Sequence, residues 1–248
     1  KCCMNGGMGV PQIEDDPAGD SVRIIKAILS EMTSLFPDDV MHLGCDETGT
    51  SSPCTLANTK SFEVSMIAHV LSLHKTPMGW EEVLFGTRAA DAYPSVIVAA
   101  WTPHSTWQQV ADAGHHTVLN HDDSFYLNYP ETSVESLYFD LLAFPTQSTS
   151  TEQRWLLGGE VALWSDNYVG SCLFENQEDE NFSLSASRMI FPRAAIASAT
   201  FWGHYQPIND SYFNQTLVAI QARLMHRGIA SCPCAALSAT CCSAMGLC

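Results

Sequence analysis

Basic residues are scarce in this chain: 11 Lys and Arg face 27 Asp and Glu, which gives a formal charge of −16. Such an acidic chain repels nucleic-acid phosphates and anionic membrane surfaces and favours a neutral or cationic ligand. No apolar run approaches the roughly 18 residues that cross a bilayer. The chain begins at Lys1 rather than Met and carries no signal-like segment there. We expect a soluble protein, mature or truncated, without nucleic-acid or membrane partners.

Repeats, linkers and paired CxxC zinc spacings are also missing. The 248 residues, 46 % of them hydrophobic, are enough for one sizeable core, so we predict one domain over 1–248. Of the ten cysteines, seven lie at the ends of the chain: Cys2, Cys3, Cys232, Cys234, Cys241, Cys242 and Cys248. Without zinc spacing, these predict disulfides, a Cys-rich tail at 232–248 and an oxidising compartment. Three glycosylation sequons agree with a secretory route: Asn181, Asn209 and Asn214.

The apolar periodicity alternates between that of helices and that of strands. Asp20 is the predicted cap of the first helix, whose apolar face carries Val22, Ile25, Ile28, Leu29, Met32 and Leu35. The nearly continuous apolar strands indicate a parallel sheet covered by helices. The predicted helices are 21–36, 62–74, 105–113, 186–202 and 211–227, the strands 40–43, 77–80, 96–101, 117–120 and 156–164, and a long loop covers 131–153.

Two adjacent acids, Asp46 and Glu47, follow the first of these strands. Neighbouring strand residues point to opposite faces, so two carboxylates there would have different roles. One would reach into a pocket while the other is held from behind. An acidic turn after a strand is the alternative, because Asp is common in turns for backbone reasons.

Large aromatics recur at the ends of the later strands. Trp80, Trp101 and Trp164 each end one, and Tyr126 and Asn128 follow another. A buried Trp usually belongs to a core. In a (β/α)8 barrel, however, the carboxyl ends of the strands build the active site. Flat aromatic walls there suit the apolar faces of a sugar ring or an N-acetyl methyl group.

The succession of motifs resembles the β-N-acetylhexosaminidases of glycoside hydrolase family 20. The motifs are HLGCDE at 42–47, GWEEV at 79–83, FYLN at 125–128, GGEVALW at 158–164, FPRA at 191–194 and RGIA at 227–230. The resemblance implies an α/β fold, the (β/α)8 TIM barrel. It implies hydrolysis of terminal β-linked GlcNAc or GalNAc from glycans, without cofactor or metal, in a lysosomal or extracellular enzyme.

The resemblance also implies roles for individual residues. The substrate's own 2-acetamido oxygen would attack the anomeric carbon, with Glu47 as general acid and then base, and Asp46 orienting the acetamido group. Tyr126 would donate to the acetamido oxygen. Trp80, Trp101 and Trp164 would enclose the group, and Asn128 and Asp166 would reach sugar hydroxyls.

Three departures from the family pattern stand out. Cys45 occupies a position where the signature has a second Gly, and Asp166 one where Glu is common. Only residues 1–45 precede the acid pair, room for one helix and its strand, whereas three βα units come first in the family. We therefore expect roughly the second half of the barrel. The N-terminal half would belong to a longer form of this chain, lie on another polypeptide or be absent because the protein is a truncated and inactive relative.

Two other classes of function remain open at this point. One is a truncated, noncatalytic glycan-binding relative. The other is a metal-dependent hydrolase that uses His42, Asp46 and Glu47 with one of His115, His116 or His121, although a strand histidine is more often a core residue. GlcNAc versus GalNAc preference, disulfide pairing and a possible homodimer are not determined by the sequence.

Overall fold

The computed structural model of the chain describes residues 2–4, 11–13, 20–47, 55–103, 106–129, 132–134, 137, 154–164, 187, 189–202 and 210–231. The chain divides into two compact units. The first is Lys1–Leu119 with Arg154–Leu157, and the second is Asn120–Gln153 with Gly158–Cys248. Among the helices in the described ranges, none combines the length and apolar content that a membrane crossing needs.

Within the described residues, seven strands form two sheets. A short antiparallel pair, β1 with β2, was not predicted from the sequence. In the larger sheet the order follows the chain, from β3 to β7, and the pairs β3–β4, β4–β5 and β5–β6 are parallel. This order confirms the predicted parallel sheet. The strands are β1 (Cys2–Met4), β2 (Pro11–Ile13), β3 (Val40–His42), β4 (Thr76–Trp80), β5 (Ile97–Ala100), β6 (Thr117–Leu119) and β7 (Leu156–Gly159).

The helices alternate with the strands as the periodicity predicts. α2 begins six residues before the predicted start at Phe62, because the Thr55 hydroxyl caps it by accepting the Asn58 N–H at 3.2 Å. A capping box of Thr106 and Gln109 starts α4. The helices are α1 (Asp20–Leu35), α2 (Leu56–Ser72), α3 (Glu82–Phe85), α4 (Trp107–Asp112), α5 (Asp122–Phe125), α6 (Arg193–Trp202) and α7 (Asp210–His226), and a 3₁₀ turn covers Ala90–Ala92.

The predicted apolar face of α1 is only partly buried. Leu29 packs against α2, with Val22 and Ile25 beside it. Ile28 and Leu35, predicted on the same face, are 49 % and 64 % exposed. At about 100° of rotation per residue they lie at the edge of the stripe. Asp20 is the first helical residue rather than the predicted cap, and its carboxylate accepts a hydrogen bond from Arg23 at 3.0 Å.

The two faces of β4 and β5 have different neighbours. Val96 and Val98 point into a core built with Ile67 of α2 and Val110 of α4. Alternate residues of a strand point to opposite sides. A second cluster accordingly takes the intervening positions of β4 and β5, with Trp101 and Val118 packed against it: Met78, Trp80, Ile97 and Ala99. The sheet thus places Trp80 and Trp101 on the same side, away from α2 and α4.

The second unit has its own core. Val134, Ile196 of α6, and Phe213 and Leu217 of α7 form it. α7 ends as predicted, because Gly228 takes φ +70° and Ile229 N–H then reaches back to the Leu224 carbonyl at 2.9 Å.

One predicted helix of the second unit is interrupted. The sequence predicts a continuous helix over 186–202, and Ser187, Met189 and Ile190 are indeed helical. Phe191 and Pro192 form a turn, however, and α6 begins only at Arg193. A proline disfavours the helical conformation of the residue before it, which explains the interruption. Most of the predicted 131–153 loop, the sequons at Asn181 and Asn209, and the Cys-rich tail lie outside the described residues.

Candidate active site

The acid pair lies beyond the end of β3 rather than within it. β3 ends at His42, and Gly44, Cys45 and Glu47 take φ values of +75°, +76° and +48°. The segment nevertheless stays attached to β4, since Leu43 N–H donates to Met78 O and Trp80 N–H to Gly44 O, both at 2.8 Å. The predicted strand alternation therefore does not orient Asp46 and Glu47. The directions of these two side chains follow instead from the positive φ angles of the turn.

His42 stabilises the start of this turn. Its Nδ1 accepts the Gly44 N–H at 3.0 Å, and its ring meets the Trp80 ring edge-on at 5.0 Å. Burial lowers the pKa of His42, against the opposing effect of the Asp46 charge. A low pKa favours the neutral ring, and only a neutral ring has the lone pair that this hydrogen bond requires.

Cys45 is a partly buried residue at a position that suits glycine. A non-glycine residue in the left-handed region costs about 1 kcal/mol or more, and part of this cost is offset because Cys45 packs against the core around Ile67 and Val98. The pKa of the thiol is raised well above its ordinary value, first by burial and then by the charges of Glu63, Asp46 and Glu82. The reactive form of cysteine is the thiolate, so burial and these charges favour the unreactive thiol form of Cys45.

A second adjacent acid pair, Glu81 and Glu82, holds the neighbouring strand ends together. Glu82 Oε1 accepts the backbone N–H of Glu47 at 3.1 Å, and its Oε2 accepts the indole N–H of Trp101 at 3.0 Å. Glu81 Oε2 accepts the backbone N–H groups of Trp101 and Thr102 at 2.9 and 3.1 Å. The sequence prediction gave neither glutamate a role. The available signal was the same as for Asp46 and Glu47: two acids directly after a strand.

The charge of Glu82 is set by opposing influences. The pKa of Glu82 is raised, mainly by burial and further by the charge of Glu81, while the hydrogen bonds from Glu47 N–H and the Trp101 indole oppose this rise. These donors stabilise the ionised form only while they remain in place.

Behind Glu82 lies a buried acid of α2. Glu63 is 2 % exposed, and one of its oxygens accepts the hydroxyl of Thr87. Its other oxygen is buried and has no hydrogen-bond partner within the described part of the chain. Burial raises the pKa of Glu63 to about 7, the Thr87 hydrogen bond lowers it, and the Glu82 charge raises it further.

Glu63→Gln is expected to flatten the pH dependence of stability. Because the folded-state pKa of Glu63 is raised from 4.5 to about 7, its stabilising contribution is complete below pH 4.5 and is lost as the pH rises through 7. At about 1.4 kcal/mol per pKa unit the loss is about 3 kcal/mol. Urea unfolding between pH 4 and 8 measures it, with the exposed Glu31→Gln as the matched control. If the free energy of unfolding depends on pH in Glu63→Gln as it does in the wild type, the raised pKa of Glu63 is contradicted.

The second unit brings Tyr126 and Trp164 together. Their ring centroids are 5.8 Å apart, and Tyr129 stacks on Tyr126 at 6.1 Å. The backbone explains the proximity: Leu127 N–H donates to Ala162 O at 2.6 Å, and Ala162 N–H donates to Phe125 O at 3.1 Å. Trp164 remains 39 % exposed, so one side of this aromatic group is open.

Asn128 lies within the unit rather than at its surface. It is 2 % exposed, and its Oδ1 is buried without a partner among the described residues. The guanidinium of Arg193 fixes the surrounding loop by donating to the carbonyl oxygens of Leu127 at 2.6 Å and Tyr129 at 3.1 Å. Arg193, from the FPRA motif, thus orients the segment that carries Tyr126 and Asn128.

Glu160 is a further acid that the sequence prediction assigned no role. It accepts a hydrogen bond from Asn120 Nδ2 at 3.0 Å. Burial raises its pKa, and the Asn120 hydrogen bond lowers it. The predicted ligand Asp166 lies outside the described residues.

The histidines of the metal-dependent alternative have other contacts. His115 Nδ1 donates to the Val96 carbonyl at 3.0 Å, His116 packs on Trp155, and His121 on Phe125. Within the described ranges, no group of three or more His, Cys, Asp or Glu is arranged to hold a metal ion. That alternative has no ligand set among these residues.

Comparisons with known proteins agree on one family. The model of "Glycosyl hydrolase family 20, catalytic domain" matches residues 8–204. Beta-hexosaminidase 1 of Arabidopsis thaliana is 23 % identical over 231 residues, and beta-hexosaminidase subunit beta of Sus scrofa is 24 % identical over 235. In both cases the match takes in 85 % of this chain and 40 % of the relative. The chain therefore spans about two fifths of the length of these relatives.

Solved structures show the same fold. The Vibrio harveyi GH20 exo β-N-acetylglucosaminidase in complex with N-acetylglucosamine is 20 % identical and has a TM-score of 0.65; the match covers 87 % of this chain and 36 % of that one. The Flavobacterium johnsoniae chitobiase is 22 % identical and has a TM-score of 0.68; the match covers 91 % and 35 %. The parallel sheet with alternating helices is thus part of a TIM barrel.

Proposed function

Because the chain belongs to glycosyl hydrolase family 20, we propose that the protein removes terminal β-linked N-acetylhexosamine, GlcNAc or GalNAc, from the non-reducing ends of glycans. The observation that carries the proposal is the attachment of the Asp46–Glu47 turn to β4, next to Trp80, with Glu82 joining Glu47 to Trp101. Since the chain spans about two fifths of its relatives, the activity is proposed for the complete gene product.

In this proposal Glu47 transfers the protons. It donates one to the glycosidic oxygen while the substrate's acetamido oxygen attacks the anomeric carbon and the leaving group departs. It then takes a proton from the water that opens the resulting oxazolinium ring, so the configuration is retained. Asp46 accepts the acetamido N–H and stabilises the positive charge that develops on that ring.

The remaining predicted residues would bind the sugar. Tyr126 donates to the acetamido oxygen, while Trp80, Trp101 and Trp164 enclose the acetamido group. The 5.8 Å contact between the Tyr126 and Trp164 rings supports a joint role for these two. Asn128 and Asp166 are proposed to reach the hydroxyl groups. Asn128 Oδ1, which has no hydrogen-bond partner among the described residues, is the proposed acceptor.

The location, modifications and assembly of the enzyme are part of the same proposal. We propose a lysosomal or extracellular glycoprotein with disulfides. The exposed position of Asn214 on α7 is compatible with a glycan at that sequon. The N-terminal half of the barrel would come from a longer form of the chain or from a second polypeptide, with a homodimer as a further possibility.

A series of aryl β-glycosides tests the proposed chemistry. The complete gene product is expected to hydrolyse an aryl 2-acetamido-β-glucoside. Replacing the acetyl group by mono-, di- and trifluoroacetyl should slow hydrolysis at each step, because fluorine withdraws electrons from the attacking oxygen. Binding of GlcNAc without turnover would instead indicate a noncatalytic glycan-binding relative. Equal rates across the series would exclude the acetamido group as nucleophile.

A further inference from the structure

We propose that Glu82 is a positioning residue that fixes the proton donor and one wall of the sugar pocket relative to each other through a single carboxylate. This proposal rests on the proposed function, since it assumes that Glu47 transfers the proton. Its basis is that the two oxygens of Glu82 accept from two separate strand ends: Glu47 N–H after β3 and the Trp101 indole after β5. None of the proton-transfer or sugar-binding roles proposed above is assigned to Glu82.

The two groups that donate hydrogen bonds to Glu82 explain why an ionised carboxylate suits position 82. Both partners are N–H donors, and a carboxylate offers acceptor oxygens in two directions without any donor of its own. A glutamine has one oxygen, so its amide NH₂ would face one of the two N–H groups. Hydrogen bonds to a charged acceptor are also stronger than those between neutral groups.

The hydrogen bond between Glu47 and Glu82 matters because of the conformation of the turn that carries Glu47. Glu47 is in the left-handed region, at φ +48°, and the turn has no regular secondary structure. The backbone bonds to β4 hold Leu43 and Gly44, whereas the bond to Glu82 is made at Glu47 itself. Losing it would allow the turn to shift at the residue whose carboxyl must meet the glycosidic oxygen.

Glu81 makes different contacts from Glu82. It accepts the backbone N–H groups of Trp101 and Thr102, so it fixes the end of β5 but not the turn after β3. The indole ring of Trp101 is oriented by Glu82. A displacement of Glu82 would therefore move the wall and the proton donor together.

Kinetics of Glu82→Gln test the proposal. A misplacement of about 1 Å can cost about 100-fold in rate. We expect kcat to fall about 10- to 100-fold while KM changes less than about threefold, with the exposed Glu31→Gln as the matched control. In a Glu47→Gln background the same substitution should have little further effect on kcat, because effects that act through one group are not additive. An unchanged kcat in Glu82→Gln, or a full additional loss in the double variant, would overturn the proposal.

Trp101→Phe provides an independent test, since it keeps an aromatic ring, although a smaller one, and removes the N–H that Oε2 accepts. It should lower kcat, and its effect should overlap with that of Glu82→Gln in a double-mutant cycle. If Glu82→Gln does not fold, an unchanged kcat in Trp101→Phe would still contradict the proposal.

A direct probe separates the positioning role from the proposed function. The ¹H–¹⁵N resonance of the Trp101 indole, assigned by its loss in Trp101→Phe, should move in Glu82→Gln and stay in place in Glu31→Gln. If the wild-type protein does not turn over substrate, the proposed function fails. The contact itself is then judged by the Trp101 resonance alone: a shift in Glu82→Gln supports it, and an unchanged resonance overturns it.

Discussion

Glu47→Gln is expected to lower kcat about 10²- to 10⁴-fold, the usual contribution of general acid–base catalysis. Binding of GlcNAc should change little, because glutamine keeps the size and polarity of the side chain and the backbone N–H of Glu47 still reaches Glu82. The loss should be largest for substrates with poor leaving groups, which need the proton most. Steady-state kinetics on an aryl and an alkyl 2-acetamido-β-glucoside measure both effects.

The control for this variant is Glu31→Gln, an exposed glutamate of α1. Added azide offers a further check, since it can replace the water that Glu47 normally activates. Azide should open the oxazolinium ring from the face that the leaving group left and give a β-linked adduct. An α-linked azide adduct would contradict the proposed chemistry and require a nucleophile other than the acetamido oxygen.

Asp46→Asn is expected to lower kcat about 10²- to 10³-fold, comparable to the removal of one preorganised electrostatic partner from a charged intermediate. Asparagine can still accept the acetamido N–H, but it carries no charge to stabilise the oxazolinium ring. Substrates with poor leaving groups should suffer most. The exposed Asp112→Asn on α4 is the matched control.

A ligand comparison separates this electrostatic role from simple binding. A thiazoline analogue of the cyclised sugar resembles the intermediate, and GlcNAc resembles the product. Asp46→Asn should weaken the analogue much more than GlcNAc, because Asp46 acts mainly on the cyclised species. Equal weakening of both ligands would show that Asp46 only binds the acetamido group.

Long apolar patterns predicted the longer elements of the first unit well, but not β1, β2 or the short helix α3. The nearly continuous apolar run at 96–101 contains β5. The strand predicted at 77–80 corresponds to β4, which is one residue longer. Their neighbours in the sheet followed from the alternation of strands and helices. Helix starts were less predictable: α2 begins at a hydroxyl cap at Thr55, which apolar spacing does not detect.

The site was predictable by residue type but not by geometry. Asp46 and Glu47 were identified as an adjacent pair, yet their directions depend on the positive φ angles of Gly44, Cys45 and Glu47, which the residue types do not reveal. Glu82 was missed because its role depends on two donors, one 35 and one 19 residues away in sequence. Such contacts arise only once parallel strands are aligned.

Alternate residues of β4 and β5 face opposite sides of the sheet, so odd- and even-numbered positions are constrained for different reasons. In β5 the even-numbered Val98 packs toward the helices, while the odd-numbered Ile97 and Ala99 lie on the side of Trp80 and Trp101. Mutations on the helix side should alter folding stability alone, whereas mutations one residue along should alter both stability and the side of the sheet that carries Trp80 and Trp101. A deletion of one residue would exchange the two sets, so these strands tolerate substitution far better than any change of length.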